Sequence, residues 1–129
     1  MLDAGDTFHG QSFATLAEGM SIATLMEMLG YDATTPGNHD WSYGAAKLKE
    51  IDSLASLSGF NVLAANVVDA RTGAPYFSEP YIVKDVEVEL SDDTVETVQV
   101  GVLGVIDQGF YTSTAAANVA DVRFTDPVA

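Results

Sequence analysis

The chain has 129 residues, 47% of them hydrophobic, enough for one domain with a buried core. Its 19 acids against 5 bases give a formal net charge of −14, which argues against nucleic acid as a partner and favours divalent cations. With no cysteine, disulfides, thiolate metal sites and cysteine nucleophiles are excluded, so any metal must be held by oxygen and imidazole.

No stretch approaches the roughly 18 apolar residues of a membrane span. The first residues also lack the basic, apolar and small-residue succession of a secretory leader. Met1-Leu-Asp-Ala-Gly-Asp6 reads as the end of a buried strand running into a loop at Gly5. Helix-forming sequence covers 11–17, Gly19 interrupts it, and a second helix is predicted over 20–29, stopped by Gly30. The apolar positions of this second helix nearly encircle it, which predicts packing on several sides, with Met20, Met26 and Met28 in the core.

A short strand is predicted over 31–35, ended by Pro36-Gly37. Residues 38–43 read as a loop, with Ser42 as N-cap of a helix over 43–58. Leu48, Ile51, Leu54 and Ala55 form its apolar face, Lys47, Lys49, Glu50 and Asp52 its solvated one, and Gly59 closes it. The apolar run 61–65 suits a strand covered on both faces. Residues 66–80, with Gly73, Pro75 and Pro80, read as loop. Val86, Val88 and Leu90 then alternate with Glu87 and Glu89, Ser91-Asp92-Asp93 make a turn, and Val98, Val100 and Val102 resume the alternation. Residues 101–106 (Gly-Val-Leu-Gly-Val-Ile) continue as a buried strand whose two glycines allow close packing. The order β-α-α-β-α-β-(β-β) predicts an α/β layered domain with an antiparallel extension. The chain begins inside a strand pattern and stops two residues after the helix start Asp126-Pro127. The expectation is therefore a single partial domain, 1–129, truncated at both ends.

Two motifs carry chemistry: Asp3-Ala4-Gly5-Asp6 and Gly37-Asn38-His39-Asp40, each directly after a predicted strand. Ligands bind at the carboxyl edge of an open α/β sheet, so Asp6, Asn38 and His39 are expected to converge there. A carboxylate can bridge two hard cations and an asparagine carbonyl adds a neutral oxygen. A histidine beside them can donate to a phosphoryl oxygen or a departing alkoxide.

Gly5-Asp6 followed by Gly37-Asn38-His39-Asp40 resembles two signature motifs of the calcineurin-like metallophosphoesterases. The flanking stretches 2–10, 30–34, Ala65-Asn66-Val67, 101–106 and 124–128 are similar to the 5'-nucleotidase branch, in the same order along the chain. The resemblance implies a four-layer α/β/β/α sandwich holding two divalent metal ions (Zn, Mn, Mg, Co or Ca). It implies Asp6 and Asn38 as metal ligands and His39 as the catalytic histidine at the phosphate. The implied reaction is hydrolysis of nucleotide phosphate esters by attack of a metal-held hydroxide. A 2',3'-cyclic nucleotide phosphodiesterase or a nucleotide-sugar hydrolase has the same appearance over these residues. A non-catalytic acidic cell-envelope binding module is the alternative of a different class.

An Asp-x-His motif upstream, histidine motifs downstream (Gly-His-x-His among them) and a C-terminal nucleotide-binding domain would lie outside the 129 residues. The piece alone is therefore expected to be inactive, to self-associate through exposed edges, and to come from an extracellular, periplasmic or cell-wall protein. The nucleotidase pattern commonly has an aspartate where Ser42 stands, which leaves less charge to hold against His39. The remaining polar residues take plainer readings. His9 reads as a loop residue in preference to one facing the site, Asp40 as structural or adjacent to the ligands, and Asp3 and Asn66 as partners for backbone. The acids of 85–96 read as a solvated hairpin face.

Overall fold

The computed structural model describes residues 1–128. Three short strands, β1 (Leu2–Asp3), β2 (Ala33–Thr34) and β3 (Asn61–Val62), form a parallel sheet in the order β1-β2-β3. Leu2 pairs with Ala33 and Ala33 with Asn61, so alternate residues of the three strands share a face. Two crossovers supply helices α1 (Ser12–Thr15), α2 (Met20–Met28) and α3 (Ala45–Ala55). An antiparallel pair joins β4 (Val67–Asp69) to β7 (Val122–Phe124), and the long hairpin is β5 (Tyr81–Glu89) with β6 (Val95–Leu103). The architecture is mixed α/β.

The core lies between the helices and the parallel sheet and continues beneath the loops that follow β1 and β2. Leu48, Ile51 and Ala55 of α3 meet Ala23 and Met26 of α2, Phe8, Phe60 and Val62, all buried. A second part is aromatic. Trp41, fully buried, has ring centroids of Phe124 at 5.4 Å, Phe77 at 6.0 Å and Phe110 at 6.1 Å. Such edge-to-face contacts anchor the segment carrying the second motif onto β7. Asn66 knits the same region together. Its Nδ2 donates to the carbonyls of Ile106 and Thr125, and its Oδ1 accepts from the Ile106 amide, which matches the backbone role expected of it.

Residues 66–80 are not all loop: Val67 and Val68 pair with Phe124 and Arg123, and the glycine and prolines that suggested a loop fall after the strand ends. Ser42 does not cap a helix. His39–Tyr43 is a 3₁₀ turn, and Gly44, with φ of 89°, takes the N-cap position of α3. Asp52 is buried rather than solvated and accepts from the Ser78 amide and hydroxyl, whereas Leu54 points outward. Helix α2 buries only Ala23 and Met26, and Met28 is exposed. In 101–106 only Gly104 and Ile106 are buried, and close approach applies to Gly104 alone: a Cβ there would sit 2.1 Å from the Leu63 carbonyl oxygen. The segment 107–121, which carries no reading in the sequence, adds two 3₁₀ turns, Gln108–Ser113 and Ala116–Val119.

Candidate active site

The loops leaving β1 and β2 touch because two glycines leave room. A Cβ on Gly5 would lie 2.3 Å from the Gly37 amide nitrogen, and one on Gly37 would lie 2.3 Å from Asp6 Oδ1. No side chain fits at either place, so the two motifs interlock only with glycine there. Asp6 itself has φ of 58°, a left-handed conformation that aspartate tolerates better than most residues. That kink turns three successive amides, Asp6, Thr7 and Phe8, toward one point, making a concave anion-binding nest.

The anion in the nest is a side chain of the protein. Asp40, 2% exposed, accepts from Asp6 N at 2.7 Å, Thr7 N at 2.9 Å, Phe8 N at 2.7 Å and Gly37 N at 2.9 Å. Burial pushes its carboxyl above the usual aspartate range, and the four amides pull against that. Asp40 therefore clasps the first motif to the second, the structural role read for it. Asp3 is likewise internal: it accepts from the Gly5 amide, the Thr7 hydroxyl and the Thr34 hydroxyl.

Asp6, Asn38 and His39 converge on this edge. The His39 amide donates to Asp6 Oδ1 at 2.8 Å, joining the two motifs directly. Asp6 and His39 are exposed and Asn38 is half-buried. Among the described residues, Asp6 Oδ2 and the Asn38 amide oxygen accept no hydrogen bond from the protein. Asp6 and Asn38 thus each offer an open hard oxygen, a donor chemistry that fits a divalent cation. They form only part of a coordination shell, since no group of three or more His, Asp and Glu able to hold a metal ion occurs among the described residues.

His9 is a loop residue, as expected, and it also faces the site. Its ring stacks on His39, with centroids 5.7 Å apart and planes 14° apart, and Tyr43 lies 5.5 Å away on the same cluster. The one available signal was its position three residues after Asp6, on a loop already assigned to the site. Ser42 caps no helix. It is exposed, and only its backbone carbonyl is engaged, accepting from Asn118 Nδ2.

No family model matches the chain. Individual proteins do match. The chain is 38% identical over 82 residues to the 5'-nucleotidase of Rattus norvegicus, covering 64% of the chain and 14% of that protein. It is 31% identical over 112 residues to the 2',3'-cyclic-nucleotide 2'-phosphodiesterase/3'-nucleotidase of Yersinia enterocolitica, covering 81% of the chain and 17% of that protein. The 5'-nucleotidase precursor of Thermus thermophilus superposes with a TM-score of 0.69 and 27% identity over 98% of the chain and 22% of that structure. The chain belongs to the 5'-nucleotidase and calcineurin-like phosphoesterase family.

The calcineurin-like phosphoesterase YfkN of Bacillus subtilis shares the fold at a TM-score of 0.75, with 24% identity over 98% of the chain and 40% of that structure. The family relatives are far longer than the chain, which spans about a seventh of the rat 5'-nucleotidase (14%). Among the described residues no helix is long and apolar enough to cross a membrane.

Proposed function

We propose that these 129 residues are the middle of a longer metal-dependent phosphohydrolase that cleaves phosphate esters of nucleotides. In this reading the mixed α/β unit is part of a four-layer α/β/β/α domain. The Asp-x-His motif, the later histidine motifs and the nucleotide-binding domain belong to the rest of the protein. The observation that carries the reading is the hydrogen bond from the His39 amide to Asp6, which brings both motifs to one strand edge, in a chain similar to 5'-nucleotidases.

Asp6, through its open oxygen, and Asn38, through its amide oxygen, would hold part of a pair of divalent ions. When bound, those ions supply charge neutralisation at the phosphoryl oxygens and a nucleophile at neutral pH. Asp40 keeps the backbone of the Asp6 loop fixed against that of the Asn38 loop before any ion is bound. His39 holds a proton for a phosphoryl oxygen or for the leaving nucleoside oxygen. A second reading, a 2',3'-cyclic nucleotide phosphodiesterase, draws on the Yersinia relative, which aligns with 81% of the chain. Action outside the cytoplasm, whether extracellular, periplasmic or at the cell wall, is supported by relatives such as the snake venom 5'-nucleotidase of Gloydius brevicauda.

The test is phosphate release from AMP and from a 2',3'-cyclic nucleotide by the polypeptide of the complete reading frame, with manganese or cobalt supplied. Turnover is expected, His39→Ala should lower kcat by on the order of 100-fold or more, and the 129-residue chain alone should be inactive. A His39→Ala protein as fast as its parent, or no turnover with any divalent ion, would reject the reading.

A further inference from the structure

His39 is tied to the site by its backbone. Its amide bonds Asp6, which fixes where the Cα sits and leaves the two side-chain torsions open. Among the described residues neither ring nitrogen of His39 has a hydrogen-bond partner, so the orientation of the ring must come from packing. The packing surface is His9, near-parallel at 5.7 Å and 14°. His9 is braced in turn by Tyr43, at 5.5 Å and 44°. These separations lie within the range in which flat aromatic groups attract one another.

The backbones of all three rings are held firmly. Tyr43 and His39 share the 3₁₀ turn His39–Tyr43. His9 follows Phe8, whose amide is bonded to Asp40 at 2.7 Å and whose side chain is fully buried. The clasp that joins the two motifs thus also sets the distance between the two imidazoles.

We propose that His9 is a positioning residue for His39: its ring restricts the His39 imidazole to the stacked orientation. Its consequence for turnover rests on the phosphoester reading above, whereas the positioning stands on the ring geometry alone. His9 acts through His39 and is not assigned a contact with substrate. Because the contact is made by a flat face, phenylalanine at position 9 preserves it and alanine removes it.

The chain has two histidines, so a proton–carbon spectrum of the 129-residue protein contains two sets of imidazole signals, and His9→Ala assigns both. The expected result is Overhauser contacts between the rings and ring-current-shifted His39 signals in the parent chain. His9→Ala should return the His39 signals to free-imidazole positions, His9→Phe should keep them shifted, and the amide spectrum should show both variants folded. Unshifted His39 signals in the parent, or signals indifferent to His9→Ala, would overturn the proposal. In the complete polypeptide, His9→Ala should lower kcat about two- to tenfold at constant KM, with His9→Phe restoring it. An unchanged kcat in His9→Ala also overturns the proposal. A complete polypeptide with no phosphohydrolase activity rejects the function instead, and the ring spectra still decide the positioning.

Discussion

At the scale of single residues, Asp40 is the group on which the site depends most. Four amides converge on one buried carboxylate, and two of them, Asp6 and Gly37, belong to the facing loops. Asp40→Ala would leave four inward-facing donors without an acceptor, at roughly 1–3 kcal/mol for each that water cannot reach. The expected loss in a urea titration is about 3–5 kcal/mol, enough to unfold a marginal domain. Asp40→Asn keeps the volume but turns an NH₂ group toward two of the donors, and should cost about 2 kcal/mol. A wild-type urea midpoint in Asp40→Ala would show that the loops hold together without the clasp. The motif made Asp6, Asn38, His39 and Asp40 readable, because their spacing and glycines are local. It left the number of amides on Asp40 unread, since that depends on the left-handed backbone of Asp6, and it left the stacking of His9 on His39 unread, since ring contact across two loops has no local pattern.

At the scale of elements, the β5–β6 hairpin presents a different problem. Its register places Ile82 opposite Val102, Val86 opposite Val98 and Val88 opposite Glu96 on one face, with Lys84 opposite Val100 between them. That apolar stripe is open to solvent: Val86 is 42% exposed, Val98 45% and Val100 41%. A two-stranded ribbon with an uncovered apolar face is marginal in water, and the outer edges of β1 and β3 carry no further strand among the described residues. Light scattering on the 129-residue chain should therefore give a mass above 13.6 kDa, and the pair of changes Val86→Lys and Val98→Lys should return it to 13.6 kDa. A sharp monomer for the unaltered chain would count against association through this face. The hairpin, its turn and its alternation were legible because period-two patterning and turn residues are adjacent in sequence. Strand β4 was not, since it exists by pairing with the distant β7, as Val67 does with Phe124. Asp52 fails the same way: its helical position reads as solvated, and Ser78, its partner, comes from a distant loop.

At the scale of the whole molecule, charge decides. Five bases cannot neutralise 19 acids, and the ion pairs present lie in exposed settings where each contributes little. Net repulsion then works against the compact state at neutral pH, and screening should relieve it. The shifted carboxyls set the pH limits. Asp32, held low by its hydrogen bond from Lys84, Asp69, by the Thr72 amide, and Asp92, by the Thr94 hydroxyl, add stability above the unfolded aspartate pKa. That stability is lost as pH falls through their lowered values. Asp40 runs the other way, since burial raises its pKa: its contribution is full below the unfolded value and lost as pH rises through the folded one. Repulsion between the many carboxylates likewise grows with pH. Thermal unfolding followed by circular dichroism should therefore show a maximum Tm at about pH 5, falling below about pH 4 and also toward neutrality. At pH 7, adding about 0.5 M sodium chloride should raise Tm by several degrees, and at about pH 5 the same salt should do much less. A Tm at pH 7 that salt lowers, or a maximum on the alkaline side of neutrality, would mean that specific ion pairs outweigh the excess of 14 negative charges.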